Sequence, residues 1–423
     1  MTEDKLQKIS RYLFYAITLF LLLWLSFFIE PVDSKYGRLI TIILFAALSF
    51  IIFANRTAAR AAFSDKADIF LWAHLLMVTA GILFVQNRPI ALNFYFRYIL
   101  PIPIVYYLFK AGFPLLKRKD WFFLIIASFA GLVALFAILE YIFRKNPVYE
   151  YFFENVYYKY YLFNKHRPMA TQLVPQVLGV YLAVCMPIVY YFIFASRNRG
   201  RRIFWIIWAV PILIGIIVAQ RGAVVCFVLS SFFYFGMKNR KVLLGLCIAT
   251  LIFFILFSFA RIGPLRRLGI EGFTEKAIYG NRIQRMITAV EMVRDHPVVG
   301  LGLNHYKIFF DKYYQSQLTY LLKTPENMFL MILCETGIFS FVFFLLFLAL
   351  ILKRAFIRVK LKLANHEIVL ALLSGMVAIL VGMIEYDALY WTVPFYLFWI
   401  YCGILQSYSL SLPLTKPSLR RRD

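Results

Sequence analysis

The chain has 423 residues, 62% of them hydrophobic, with a mean hydropathy of +0.74. That excludes an ordinary soluble domain, in which about half of the residues are apolar. The net charge of +25 would suggest nucleic-acid binding in a soluble protein. In a membrane protein the first explanation is different, because cytoplasmic loops are rich in Lys and Arg.

Apolar runs of roughly 18 to 25 residues, the length a helix needs to cross a bilayer, predict twelve spans. In chain order they are 12–29, 39–54, 69–85, 90–109, 121–143, 175–195, 203–219, 222–237, 242–260, 327–352, 367–384 and 390–409. The runs are continuous rather than alternating, so they read as helices and not barrel strands. The expected fold class is an all-α polytopic membrane protein. The first run is followed by Glu30-Pro-Val-Asp33, not by a small-residue cleavage site, and reads as an uncleaved span. Cys185, Cys226, Cys247, Cys334 and Cys402 all lie in apolar runs without a CxxC pair and read as packing residues.

Alternate loops sort by charge. One set holds Lys5/Lys8/Arg11, Arg56/Arg60/Lys66, Lys110 with Lys117-Arg118-Lys119, and Arg197/Arg199/Arg201/Arg202. It continues with Lys238/Arg240/Lys241, Lys353/Arg354/Arg358 and Arg420-Arg421-Arg422. By the positive-inside rule these loops and both termini face the cytoplasm. The opposite loops are short, except 144–174 and 261–326, and long loops in compact proteins are usually functional. Both long loops are also basic. Residues 261–325 carry ten Lys and Arg against five acids, a net of +5, and 144–174 five against two, a net of +3. Such charge suits either anionic headgroups or an electropositive cavity for an anionic ligand. The chain thus divides into N-terminal spans (1–143), a basic and aromatic loop (144–174), central spans (175–260), a large loop with an amphipathic helix (261–326), C-terminal spans (327–409) and a basic tail (410–423).

Four constellations fall on the outer side. In Ala219-Gln220-Arg221-Gly222-Ala223 the turn is so short that Arg221 lies at the membrane surface. It is either an interfacial anchor or a guanidinium placed to grip a phosphate. In the second, Ile283, Met286, Ile287, Val290 and Val293 recur at helical spacing, predicting a helix over 282–294 with Asn281 as N-cap and Asp295-His296-Pro297 as its end. This puts Arg282 in the first turn, an anion site if free N–H groups point with it, with Arg285 one turn on. The third is Thr324-Pro325-Glu326-Asn327, where Glu326 is either a general base or an acid favouring a helix start. The fourth, Lys165-His166-Arg167-Pro168, brings His166 and Arg167 to the same surface, beside a run of tyrosines that suits an aromatic belt. His305, in Gly300-Leu-Gly302-Leu-Asn-His, is a further candidate lining residue. No H-x-x-H or H-E-x-x-H spacing points to zinc, and no G-x-x-x-x-G-K-[ST] to a nucleotide-driven pump.

At these motifs the chain resembles the O-antigen ligase and O-antigen polymerase superfamily. The resemblance rests on Arg167…Pro175, then Gln220-Arg221-Gly222-Ala223, then Arg282…Pro297-Val-Val-Gly300-Leu-Gly302, then Glu326-Asn327…Glu335-Thr336-Gly337, in that order. It implies a GT-C-like membrane glycosyltransferase in the bacterial inner membrane, working at the periplasmic face without metal or other cofactor. Its implied donor is an undecaprenyl-diphosphate-linked glycan, held by Arg221 and Arg282. Arg167, His166, Arg285, Asn327 and His305 stand as further binding residues, and Glu326 as the base on the acceptor hydroxyl. The implied acceptor is a lipid-linked glycan or lipid A-core, with a chain-length regulator as a partner and no nucleic acid. The ligases typically have His before the Asn, where this chain has Glu326, which tilts the reading towards polymerase. A ligase, or a flippase or transporter of glycan lipids, stays open as an alternative.

Overall fold

A computed structural model describes residues 3–27, 35–55, 63, 65–147, 167–172, 174–238, 241, 245, 276–314 and 323–409. All regular structure among them is helical. In chain order the helices are α1 (Glu3–Phe27), α2 (Lys35–Ala54), α3 (Lys66–Gly81), α4 (Arg88–Phe94), α5 (Pro101–Gly112), α6 (Lys119–Phe143) and α7 (Pro175–Ala195). They continue as α8 (Arg199–Ala219), α9 (Arg221–Lys238), α10 (Lys276–Asp295), α11 (Tyr306–Tyr313), α12 (Met328–Lys360), α13 (His366–Glu385) and α14 (Thr392–Ser409). A π-helical turn, Tyr95–Ile99, joins α4 to α5 and carries Arg97, whose guanidinium lies 5.1 Å from the Tyr98 ring centre.

Eight of the described helical segments are long and apolar enough to cross a membrane. They are α1, the continuous α4–α5 segment, α6, α7, α8, α9, α12 and α13. The expectation of twelve is therefore met in part. The stretch 39–54 is a shorter apolar helix within α2. The stretch 69–85 lies on α3, which stops at Gly81 after 16 residues, about 24 Å of helix at 1.5 Å per residue. The stretch 390–409 is α14, and 242–260 lies outside the described residues.

Large apolar side chains cover the outer surface. Ile203, Phe204, Ile206, Ile207, Val210 and Ile214 are all exposed on α8 alone. That pattern suits hydrocarbon as the solvent, not water. At the centre stands α7, buried over most of its length and packed against α6, α8, α9 and α13.

Polar contacts define two ends of the bundle. At one, Arg354 of α12 pairs with Asp65 before α3 (2.6 Å), Lys238 of α9 with Glu367 of α13 (3.0 Å), and Lys110 of α5 with Asp68 of α3 (2.7 Å). The Tyr191 hydroxyl of α7 donates to Asp120 of α6 (3.0 Å), and Arg11 of α1 to the Leu115 carbonyl (3.1 Å). These are the loops sorted as basic by sequence, so the alternation of ends follows the charge pattern. The candidate residues Arg221, Arg282, Arg285 and Glu326 gather at the other end.

Candidate active site

The end of α8, the start of α9, the end of α13 and the entry to α12 meet beneath α10. Gln220 alone, in extended conformation, links Ala219 of α8 to Arg221 of α9. Each small residue after Arg221 has a neighbour that needs it small. A Cβ on Gly179 of α7 would lie 2.3 Å from the Ala223 Cβ, so these backbones touch. A Cβ on Gly222 would lie 1.4 Å from Glu385 Oε2, so the carboxyl of Glu385 occupies the space that glycine leaves.

Helix α10 differs from expectation. It starts at Lys276, not at 282, and Asn281 sits inside it rather than capping it. One internal glycine, Gly280, costs about 1 kcal/mol relative to alanine, which does not stop a helix. Arg282 is therefore in the second turn, and its placement as a helix-start anion site is lost. What replaces it is spacing: Arg282 and Arg285 lie three apart on one helical face.

Both arginines reach the segment that enters α12. The Arg285 side chain is enclosed, with the residue 1% exposed, so it is not a solvated surface group. Its Nη1 donates to the Thr324 carbonyl (3.1 Å) and its Nη2 to Glu326 Oε2 (2.5 Å). The Tyr306 hydroxyl donates to the Arg285 carbonyl (2.9 Å), locking α11 to α10. Arg282 Nη2 donates to the carbonyls of Glu326 (3.0 Å) and Glu385. Its buried Nε makes no hydrogen bond and lies 3.8 Å from Glu326 Oε2. Glu326 itself has φ of +48°, a left-handed conformation uncommon outside glycine and frequent at functional sites.

Asn327 follows as the N-cap of α12. Its side-chain oxygen accepts from Leu330 N (3.0 Å), and its amide nitrogen donates to the Ile384 carbonyl (3.3 Å). It ties α12 to the end of α13, which is a framework role. Beyond Glu385, Asp387 adds a further acid. Burial pushes its carboxyl above the ordinary aspartate value, the charge of Glu326 adds to this, and Lys307 opposes it.

A second contact explains the remaining motifs. Helix α12 is broken at Gly337, whose φ of +76° and ψ of 172° are not helical. The break leaves backbone groups to satisfy, and the segment Pro297–Gly302 supplies them. Leu301 N donates to the Cys334 carbonyl (2.9 Å), Gly302 N to that of Glu335 (3.0 Å), and Ile338 N to that of Pro297 (2.9 Å). Buried Glu335 then accepts from Asn304 N (2.9 Å), Tyr306 N (3.2 Å) and the Tyr390 hydroxyl. This carboxylate holds the first turn of α11, and so the loop that carries Tyr306, against α12.

The other candidates are placed differently. His305 is fully buried. Its Nδ1 faces the Leu303 carbonyl (2.8 Å) and its Nε2 accepts from Asn87 N (3.2 Å), so both ring nitrogens are used within the fold. Arg167 opens a short segment anchored between α1 and α6. There Glu140 accepts from Met169 N (3.0 Å) and Ala170 N (2.6 Å), and Thr171 donates to the Ser26 carbonyl (2.5 Å). His166 lies outside the described residues.

Sequence reading missed Glu385. Its signal was an acid at the mouth of a span, in a short outer loop facing a glycine two residues after Gln220, but nothing in the sequence joins 385 to 222.

No curated protein matches the chain. Residues 218–345 match the family described as O-antigen ligase. That segment contains Arg221, Arg282, Arg285, Glu326, Asn327 and the docked pair Pro297–Gly302 and Glu335–Gly337, while Arg167 and Glu385 lie outside it. Members of the family are glycosyltransferase-like enzymes, both ligases and polymerases. The likeness to the O-antigen ligase family thus covers residues 218–345, less than half of the chain, and falls on the segment that carries most of the clustered site residues.

Proposed function

We propose that the protein is a polymerase-type glycosyltransferase. It moves glycan from undecaprenyl diphosphate to a sugar hydroxyl of a lipid-linked acceptor, at the periplasmic face of the bacterial inner membrane. The full reading includes twelve spans in a GT-C-like arrangement, with both termini in the cytoplasm.

The observation that carries it is the way Arg282 is held. Two backbone carbonyls fix its Nη2, while its buried Nε has no hydrogen-bond partner. A guanidinium clamped in this way is preorganised for an anion. A buried N–H without a partner is costly unless a ligand completes it. Arg221 starts α9 next to Gly222, on which the Glu385 carboxyl rests, and Arg282 holds the carbonyl of the same Glu385. Glu385 is thus tied to Arg282 through its carbonyl and to the start of α9 through its carboxyl. A diphosphate leaving group gains charge as the C1–O bond breaks, and fixed cations at that position lower the barrier. Arg285 joins through Glu326, which it orients.

A second reading has its own support: the matched family is described as O-antigen ligase. The ligase would pass the glycan to lipid A-core. The residue before Asn327 favours the polymerase, because Glu326 stands where ligases carry His. Reconstitution with undecaprenyl-diphosphate-linked repeat units separates the readings. We expect a ladder of lengthening lipid-linked glycans. Product found only on lipid A-core would establish the ligase. Passage of the lipid across the bilayer with no new glycosidic bond would eliminate both enzyme readings.

A further inference from the structure

The glycosyl-transfer reading needs a group to take the proton of the acceptor hydroxyl, and the inference below rests on that reading. Glu326 is badly placed for the task. Its Oε2 is engaged by Arg285 (2.5 Å) and faces Arg282 Nε at 3.8 Å. Both contacts fall on the same oxygen and are made by cations, so the carboxyl is tied to the two arginines. Its structural work is evident: it holds Arg285 and Arg282 in register.

Glu385 is the opposite case. Its backbone is fixed, because Arg282 holds its carbonyl and Asn327 holds that of the preceding Ile384. Its carboxyl group rests on Gly222, in the space a side chain there would fill. Among the described residues, neither oxygen of that carboxyl accepts a hydrogen bond or forms an ion pair. A positioned acid with open lone pairs, resting on the residue after Arg221 and tied by its carbonyl to Arg282, is what a general base beside a diphosphate requires.

We propose that Glu385 is the catalytic base and Glu326 a positioning residue. The acceptor hydroxyl oxygen forms a bond to C1 of the donor sugar. The bond from C1 to the diphosphate oxygen breaks, and its electron pair leaves on the diphosphate, next to Arg221 and Arg282. The hydroxyl proton passes to the Glu385 carboxylate, which returns it to water or to the released undecaprenyl diphosphate. No other reactant is consumed.

The test uses the full chain in bilayers, with undecaprenyl-diphosphate-linked repeat units as substrate and undecaprenyl diphosphate as the binding probe. Glu385→Gln is expected to lower kcat by about a hundredfold or more, within the range of general-base contributions, while its affinity for undecaprenyl diphosphate stays near that of the wild type. Added formate is expected to restore turnover to Glu385→Ala, because the truncated side chain leaves a carboxylate-sized space beside Gly222. Glu326→Gln is expected to show the reverse split, with weakened lipid diphosphate binding and a smaller change in kcat. Near wild-type turnover by Glu385→Gln would overturn the proposal. So would a loss of turnover matched by an equal loss of affinity, or an absence of formate rescue. If the wild type transfers no glycan at all, the glycosyl-transfer reading fails; an active wild type with an active Glu385→Gln removes this inference alone.

Discussion

At the scale of single residues, the site is built on cations fixed by backbone carbonyls as well as by Glu326. Arg282 shows the logic. One nitrogen bridges two carbonyls from different helix ends, those of Glu326 and Glu385, and its Nε edge is left without a hydrogen bond. Lysine has the charge and three donors, but all on one nitrogen, so it loses the second, separately placed Nε edge that Arg282 presents. Arg282→Lys is therefore predicted to lower kcat/KM for the lipid-linked donor by at least about tenfold, or about 1.4 kcal/mol, with the folded protein retained. Steady-state turnover alongside a thermal melt checks this, and unchanged kcat/KM would show that point charge alone suffices. The residue types at this site were legible in the sequence, since Arg221, Arg282 and Glu326 stood out by position. Their pairings were not. Arg285 was as readable as a solvated surface group as it was a site residue, and only the fold encloses it.

At the scale of elements, the glycine motifs around Gly300 and Gly337 turn out to be two halves of one contact. The Gly337 break in α12 exposes carbonyls and an N–H, and Pro297–Gly302 pairs with them. Each half was visible in the sequence as a motif, but periodicity carries no information about backbone pairing between segments some thirty-five residues apart. The same limit applies to the start of α10. The apolar repeat began at Ile283, so the helix was read from 282, whereas it begins at Lys276. Gly337 has φ and ψ in a region that is essentially glycine's own, and a Cβ there would lie 2.1 Å from the Val298 carbonyl oxygen, which is backbone and cannot swing aside. Gly337→Ala is predicted to cost at least about 2 kcal/mol, from strain of roughly 1–3 kcal/mol with the steric clash added. The docked loop should loosen before the spans do. Limited proteolysis between 296 and 306, compared with the melting temperature, reads this directly. A variant as protease-resistant as the wild type would mean that the kink and the loop are independent.

At the scale of the whole molecule, the two ends of the bundle do different things. The site end collects arginines held by helix-end carbonyls and by Glu326. The opposite end is a set of completed ion pairs that fix how the helices stack. Alternation of the loops was legible from charge alone, because the positive-inside rule acts on sequence position and not on contact. The pairing at the basic end was not legible, since Lys110 stood among the loop charges and nothing in the sequence joins it to Asp68. In the structure Lys110 is fully buried, 2.7 Å from Asp68, with the Tyr106 hydroxyl donating to the same carboxylate (2.9 Å) and the rings of Tyr106 and Tyr107 5.3 and 5.5 Å from its ammonium. Removing the cation alone leaves a carboxylate with 3% exposure and no counter-charge, which typically costs about 3–5 kcal/mol. Lys110→Met is thus predicted to lower the yield of folded protein and its melting temperature. Removing both charges should cost far less, because a matched neutral pair avoids the desolvation of two ions. Lys110→Met combined with Asp68→Asn keeps an acceptor for Tyr106 and fills the aromatic slot with a flexible apolar chain, so most of the lost stability should return. If the double variant melts no higher than Lys110→Met, the pair is not what joins α3 to α5. If Lys110→Met melts with the wild type, the pair contributes nothing to the fold. Donor affinity in the double variant should match the wild type, because these charges sit at the end of the bundle away from Arg221 and Arg282.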